Sequence, residues 1–222
     1  MKTFYPTPTI EDYLGIIYTL SQDGEEIFGA RLAELLEVTP PTVTVTLKRM
    51  VRDGWITLDP KKMVSLTRKG IDASKTVIRR HMLTEWMLSR ILNIPWSQIH
   101  EEADKIEHAI SDEVEQQLLR TLDDPSSCPH GNPMPDMESI SNFWKPITEF
   151  NENNHLIIRR IHEFLEQNNE LLILLEESEI IPGKEITITQ LLPLNKTITL
   201  KSNQGSVIFG FDIAKNIFAE KL

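Results

Sequence analysis

Apolar residues recur at helical spacing through most of the first half of this chain, and at alternating spacing towards its C-terminal end. After Pro6 and Pro8, Ile10, Leu14, Ile17 and Leu20 mark one helical face. Thr9 is placed at the N-cap and Asp12 in the first turn, where a carboxylate is favoured by the helix dipole. Residues 29 to 37 predict a second, short helix. Thr39, Pro40 and Pro41 then make a turn, with a proline suited to the first helical position of a third helix that ends near Gly54. Its Val43, Leu47 and Met50 point to the core, while Thr42, Thr44, Thr46, Lys48 and Arg49 point outwards. Trp55 to Leu58 and Met63 to Leu66 read as two short strands around the turn Asp59-Pro60-Lys61-Lys62. Helix, tight turn, helix and hairpin is the form of a winged helix-turn-helix.

Further on, His81 and Glu85 are four apart in a run whose Leu88 and Leu92 continue the same face. Asn93, Pro95 and Ser97 break that helix, and the next begins near Trp96. It carries His100, Asp104, Glu107 and His108, which at ~100° per residue fall within an arc of about 100°, beside an apolar stripe of Ile99, Ala103, Ile106 and Ile110. Residues 111 to 122 continue as a helix striped by Val114, Leu118, Leu119 and Leu122. Residues 151 to 154 look like a linker, LIIRRIHEFLEQ is expected to be helical, and NNELLILLEESEI predicts a further helix before Pro182-Gly183. EITITQLL, TITLKS and SVIFGF then alternate as strands of a small barrel, and the last residues add a short helical turn and a final strand-like segment. The expected fold is mainly α with small β parts. Residues 1–72 form the winged helix-turn-helix, 73–145 a helical domain, and 146–222 linker helices with a small SH3-like β-barrel.

Composition alone describes an ordinary soluble globule, with 40% hydrophobic and 25% charged residues, and a formal charge of -10 speaks against nucleic acid as a partner. The distribution changes that picture. Residues 42 to 70 hold seven basic side chains against two acids, a local balance of +5. Exposed threonines are poor helix formers, so their cluster beside lysines on the third helix suits contacts to phosphates and base edges of double-stranded DNA. The candidate DNA-binding residues are Pro40, Pro41, Thr42, Thr44, Thr46, Lys48, Arg49, Lys61 and Lys62. No run approaches ~18 apolar residues and the N-terminus lacks a signal peptide's apolar core, so a cytoplasmic protein with no membrane partner is expected. Its single cysteine, Cys128, excludes an internal disulfide and fits a reducing compartment.

The stretch from His81 to His108 holds three of the six histidines, and its two helices offer up to six imidazole and carboxylate ligands. A set without thiolate suits a hard or borderline divalent ion such as manganese or iron(II). Each pair by itself reads first as a solvated acidic face; it is the six groups together on adjacent helices that point to a metal. Cys128 reads either as a lone thiol or, with His130, as a Cys-x-His pair in a Pro- and Gly-rich loop. No phosphate-binding glycine loop, dinucleotide fingerprint or nucleophile elbow occurs. The chain is therefore expected to be no enzyme and to take no organic substrate. Two competing readings are a winged-helix regulator that senses an organic ligand and a metallohydrolase with an open cage.

Seven segments carry a resemblance that covers nearly the whole chain: EDYL at 11–14, PPTVT at 40–44, LKRMVRDG at 47–54, LTRKG at 66–70, RRHMLTE at 79–85, IHEEADKIEHAISDEVE at 99–115 and CPHGNPMP at 128–135. In these the sequence resembles the diphtheria toxin repressor and manganese transport regulator family of metal-dependent transcriptional repressors, in its three-domain form. The resemblance implies a homodimer that binds operator DNA when metal-loaded and controls metal-uptake genes, with the 111–122 stripe buried against the second subunit. It places a regulatory site on Asp12, Asp104, Glu107 and His108, and an ancillary site on His81, Glu85 and His100. Iron-type members carry Met and Cys where this chain has Asp12 and Asp104, which implies manganese. The manganese-type binuclear site uses a further glutamate where Gly15 stands here, which argues against a close two-metal cluster. Some three-domain members complete a second site from the CPHG loop, which would recruit Cys128 and His130 with Glu85 and Glu163.

Overall fold

A computed structural model describes residues 6–222, which divide into two compact units, one ending at Arg80 and the other running from His81 to Leu222. In the first unit α1 spans Pro8–Gln22, two residues earlier than a Thr9 cap would start it. Proline lacks an N–H and fits the first helical position, so Thr7 becomes the N-cap and Glu11, not Asp12, is the first-turn acid. Helix α2 (Gly29–Leu35) is followed by a tight turn in which Glu37 takes φ 52° and Val38 N–H closes on the Ala33 carbonyl at 3.1 Å. Helix α3 (Pro40–Arg52) has Thr39 as its cap, the hydroxyl accepting from Thr42 N–H. Strands β1 (Ile56–Leu58) and β2 (Val64–Leu66) pair antiparallel as a wing, with Asp59 Oδ1 accepting from Met63 N–H at 2.7 Å to hold its turn.

The long helix α4 (Arg68–Arg90) begins in this unit. Thr67 sets its start: the hydroxyl donates to Gly54 O and accepts from Gly70 N–H. Gly70 is required there, since a Cβ would stand 2.0 Å from the Trp55 carbonyl oxygen. Ile10, Leu14, Ile17, Leu20, Leu32, Val43, Leu47, Met50 and Ile56 are buried in this unit, which is the winged helix-turn-helix that the periodicity predicts.

In the second unit, a 3-10 turn at Trp96–Gln98 leads into α5 (Ile99–Ile106), and a further 3-10 turn covers Glu107–Ala109. Ile99 and Ala103 pack with Leu88 of α4 as a small core. Helix α6 (Asp112–Thr121) buries Leu118, and Leu122 just beyond it, but leaves Val114 exposed. After a two-residue strand β3 (Lys145–Pro146), the segment expected to be helical is instead strand β4 (His155–Ile161) followed by a single turn, α7 (Glu163–Glu166). Leu156 and Ile158 face the core at a spacing of two, and a bulge between Ile158 and Arg160 then moves the next inward residue to Ile161. One inserted residue thus made a period of two resemble a helical spacing.

Helix α8 (Asn169–Glu177), strands β5 (Glu185–Leu192), β6 (Thr197–Ser202) and β7 (Gly205–Gly210), the turn α9 (Phe211–Ala214) and β8 (Ile217–Lys221) follow as the alternation predicts. The strands form one antiparallel SH3-like sheet in the order β3-β8-β4-β5-β6-β7, over a core of Ile147, Leu156, Ile158, Leu175, Ile188, Leu200 and Ile217. Its central β4 ends directly at α7, which fixes where Glu166 stands.

Candidate metal centre

Four pieces of the second unit converge. Helix α4 brings His81 and Glu85 on one face, α5 brings His100, the loop after α6 brings Cys128 and His130, and α7 brings Glu166. Each of two overlapping sets, His81, Glu85, His100 and Glu166, and Glu85, Cys128 and His130, has ligand atoms lying within 4.8 Å of one another, and every member is buried. Glu85 Oε1 stands 3.3 Å from His81 Nε2, 3.3 Å from His100 Nδ1 and 3.2 Å from His130 Nδ1. Glu166 Oε2 lies 2.9 Å from His100 Nδ1 and 3.5 Å from His130 Nδ1. A third set, His81, Asp104 and Glu107, adjoins the first: His81 Nδ1 is 2.5 Å from Glu107 Oε2 and 3.2 Å from Asp104 Oδ1.

The loop is held from outside. The indole N–H of Trp86 donates to Ser127 O at 2.6 Å and that of Trp96 to Pro129 O at 3.0 Å. Asn132 donates to both Ile161 O and Glu166 Oε1, which leaves the other carboxylate oxygen of Glu166 to face the histidines. Arg160 Nε donates to Asn132 Oδ1 at 2.6 Å, and Ile161 N–H to His130 O at 2.8 Å. Supports of this kind fix the orientation of ligands.

The electrostatics show that the cluster needs positive charge. Burial opposes protonation of His100, yet hydrogen bonds to Glu166 and Glu85 push its pKa from 6.5 up to about 10. Burial likewise opposes charge on His81 and His130, and carboxylates raise both: Glu85, Asp104 and Glu107 for the first, Glu166 and Glu85 for the second. Burial would raise the Glu85 carboxyl, but the His130 and His81 charges hold it well below its usual range. Burial and the charges of Glu85 and Glu166 push the Cys128 thiol well up. Even so, Glu85 Oε2 makes no hydrogen bond, and His130 Nδ1 meets Glu85 Oε1 as an ion pair without hydrogen-bond geometry. Buried polar atoms left in that condition are costly, and the gathering of three imidazoles, two carboxylates and a thiol around them fits a divalent cation.

Family profiles described as iron dependent repressor, N-terminal DNA binding domain, iron dependent repressor, metal binding and dimerisation domain, and FeoA domain match residues 6–64, 67–136 and 145–221. The diphtheria toxin repressor of Corynebacterium glutamicum is 32% identical over 223 residues, covering 96% of each chain. The chain belongs to the diphtheria toxin repressor family. The iron-dependent repressor IdeR of Mycobacterium leprae is 29% identical, covering 96% of this chain and 97% of that one. Among solved structures, the manganese regulator SloR superposes with a TM-score of 0.79 at 28% identity over 98% of this chain and all of its own, and ScaR with bound Zn2+ with 0.80 at 29% over the same shares.

Within this repressor's second unit the structure brings together His81, Glu85, His100, Cys128 and His130, and sets Asp104 and Glu107 beside His81. His108 Nε2 is 3.8 Å from Glu107 Oε1. Asp12 lies exposed on α1 of the first unit. Glu166 rather than Glu163 reaches the cluster, because the strand before α7 sets that single turn with Glu163 at its start and Glu166 at its inner end. The family resemblance suggested Glu163; the set that the structure brings together holds Glu166. Glu166, Asn132 and the two tryptophans were missed; the alternation in LIIRRI was the available signal for the first. On the family's DNA-binding domain, Pro40, Pro41, Thr42, Thr44, Lys48 and Arg49 of α3 and Lys61 and Lys62 of the wing are exposed, and Thr46 is half-buried.

Proposed function

We propose that this protein represses transcription of metal-uptake genes by binding operator DNA as a homodimer when a divalent cation, manganese ahead of iron(II), is bound in its second unit. The observation that carries the reading is the buried cluster around Glu85, in which two carboxylate groups, three imidazoles and a thiol share a space with polar atoms left unmet. His81, Glu85, His100, Glu166, Cys128 and His130 would hold one ion; Asp104, Glu107 and His108, to which the family resemblance adds Asp12, would hold another. The cation supplies fixed positive charge in a place where this chain otherwise gathers protons. The residues of α3 and the wing then bind: Lys48, Arg49, Lys61 and Lys62 to phosphates, Thr42, Thr44, Thr46 and the two prolines against the major groove. Without the cation, protons on the imidazoles are what hold Glu85 and Glu166 beside one another, so the grip on α4, α5, the loop and α7 weakens as those protons are lost.

Oxygen and nitrogen ligands in the Asp104 set, and the likeness to the manganese regulator SloR, favour manganese. Affinity order alone favours later metals, so supply in the cell matters as much as ligand type. The test is operator binding titrated in parallel with manganese, iron(II) and zinc, and with chelator. Binding is expected only with an ion present, and manganese and iron(II) are expected to suffice. Equal promoter occupancy in chelator would overturn the reading.

A further inference from the structure

We infer that Val45 reads thymine methyl groups, so that this repressor selects its operator by apolar contact at the centre of α3. The inference rests on α3 being the DNA-facing helix. Val43, Leu47 and Met50 define the buried side of α3. At ~100° per residue, Val45 falls within roughly 20° of the point opposite them, in the middle of the outward face, and it is 68% exposed. A lone exposed valine is common and by itself means little. Its surroundings give it meaning. Thr44 Oγ1 donates to Pro40 O at 2.9 Å and Thr46 Oγ1 to Thr42 O at 3.0 Å, while the Thr42 and Thr39 hydroxyls share a hydrogen bond at 2.9 Å. The hydroxyls around Val45 are thus engaged within the helix.

From Thr39 to Asp53 the chain has no Asn or Gln to pair with adenine. Arg52, a candidate for guanine, is held by Asp53 through Nε and Nη2 at 2.7 and 3.0 Å, and Arg49 stands 3.8 Å from the same carboxylate. What the first turns of α3 offer a major groove is methyl and ring carbon: Val45, Pro41 and the threonine methyls. The C5-methyl of thymine is the apolar group on a major-groove edge. The basic island supplies the charge complementarity that brings the duplex to this face.

The test starts from a pool of random duplexes selected with manganese-loaded full-length protein. The selected sequence is remade with each thymine in turn replaced by deoxyuridine, which removes one methyl and keeps every hydrogen-bonding group. At one thymine or more per half-site, the loss is expected to be about three- to fivefold in affinity for wild type. For Val45→Ala, which favours the helix and should fold at least as well, the same replacement is expected to matter less than about twofold. Selection of a sequence that binds its thymine and uracil forms alike at every position would overturn the inference and leave the DNA-facing reading of α3 standing. Undiminished sensitivity in Val45→Ala would assign the methyl to another residue and overturn it too. Failure to select any duplex with manganese would take down the DNA reading and this inference together.

Discussion

Glu85 Oε1 stands within 3.2 to 3.3 Å of ring nitrogens on three histidines, so the protonation of those rings is tied to one carboxylate. In the metal-free protein His100 binds its proton more tightly folded than unfolded, with its pKa raised from 6.5 to about 10. That contribution to stability is full below pH 6.5 and is lost as pH rises towards about 10. Glu85 has the opposite sign: its depressed pKa stabilises above the ordinary 4.5 and is lost as pH falls below it. Thermal stability in chelator is therefore expected to be highest between these ordinary values and to decline through neutral to alkaline pH. A cation displaces the same protons, so the rise in Tm on adding manganese should be larger at about pH 9 than at about pH 6. Thermal scans at both pH values, with manganese and with chelator, check this; an equal rise at both would refute the exchange of protons for metal.

At the scale of elements, the loop after α6 is a docked piece rather than a free connection. Gly131 has φ 89°, and a Cβ there would stand 2.0 Å from Arg159 O and 2.8 Å from Arg160 Cα, both backbone atoms of β4. Gly131→Ala is expected to cost roughly 2–4 kcal/mol, with weakened metal binding, because the loop must leave β4 to relieve the clash. Urea unfolding measures it, and a change below about 0.5 kcal/mol would mean the loop is not held there. The same elements show what could be read from sequence. His81 with Glu85 and His100 with Asp104 are four apart on helices, where spacing fixes a shared face, so their convergence was legible. The winged helix was legible because α1, α3 and the hairpin keep their periods without interruption. The β4 bulge and the turn α7 were not, since one inserted residue changes which face each later side chain takes. Cys128 and His130 lie on a loop without periodicity, and only the family resemblance favoured them as ligands over a lone thiol.

For the whole molecule, a net charge of -10 would keep DNA away if charge were spread evenly, yet residues 42 to 70 are locally +5. No helix among the described residues is long and apolar enough to cross a membrane. Removing Lys61 and Lys62 together is expected to weaken binding to all duplexes and to lower the slope of log affinity against log salt by up to about two per protomer. Fluorescence anisotropy across a potassium chloride series checks it; an unchanged slope would mean that the wing stands clear of phosphates. The position of Glu166 reaches further. Strand β4, which ends at α7, is flanked by β8, with Ile161 opposite Ile217 and Ile158 opposite Ala219. A ribosome completes β8 long after Glu166 has emerged, so a nascent chain would hold most of its ligands before it could seat the last of them. Such a chain should lack a finished cluster around Glu85 until synthesis has passed Lys221, and a premature stop before β8 should yield a regulator that answers metal poorly.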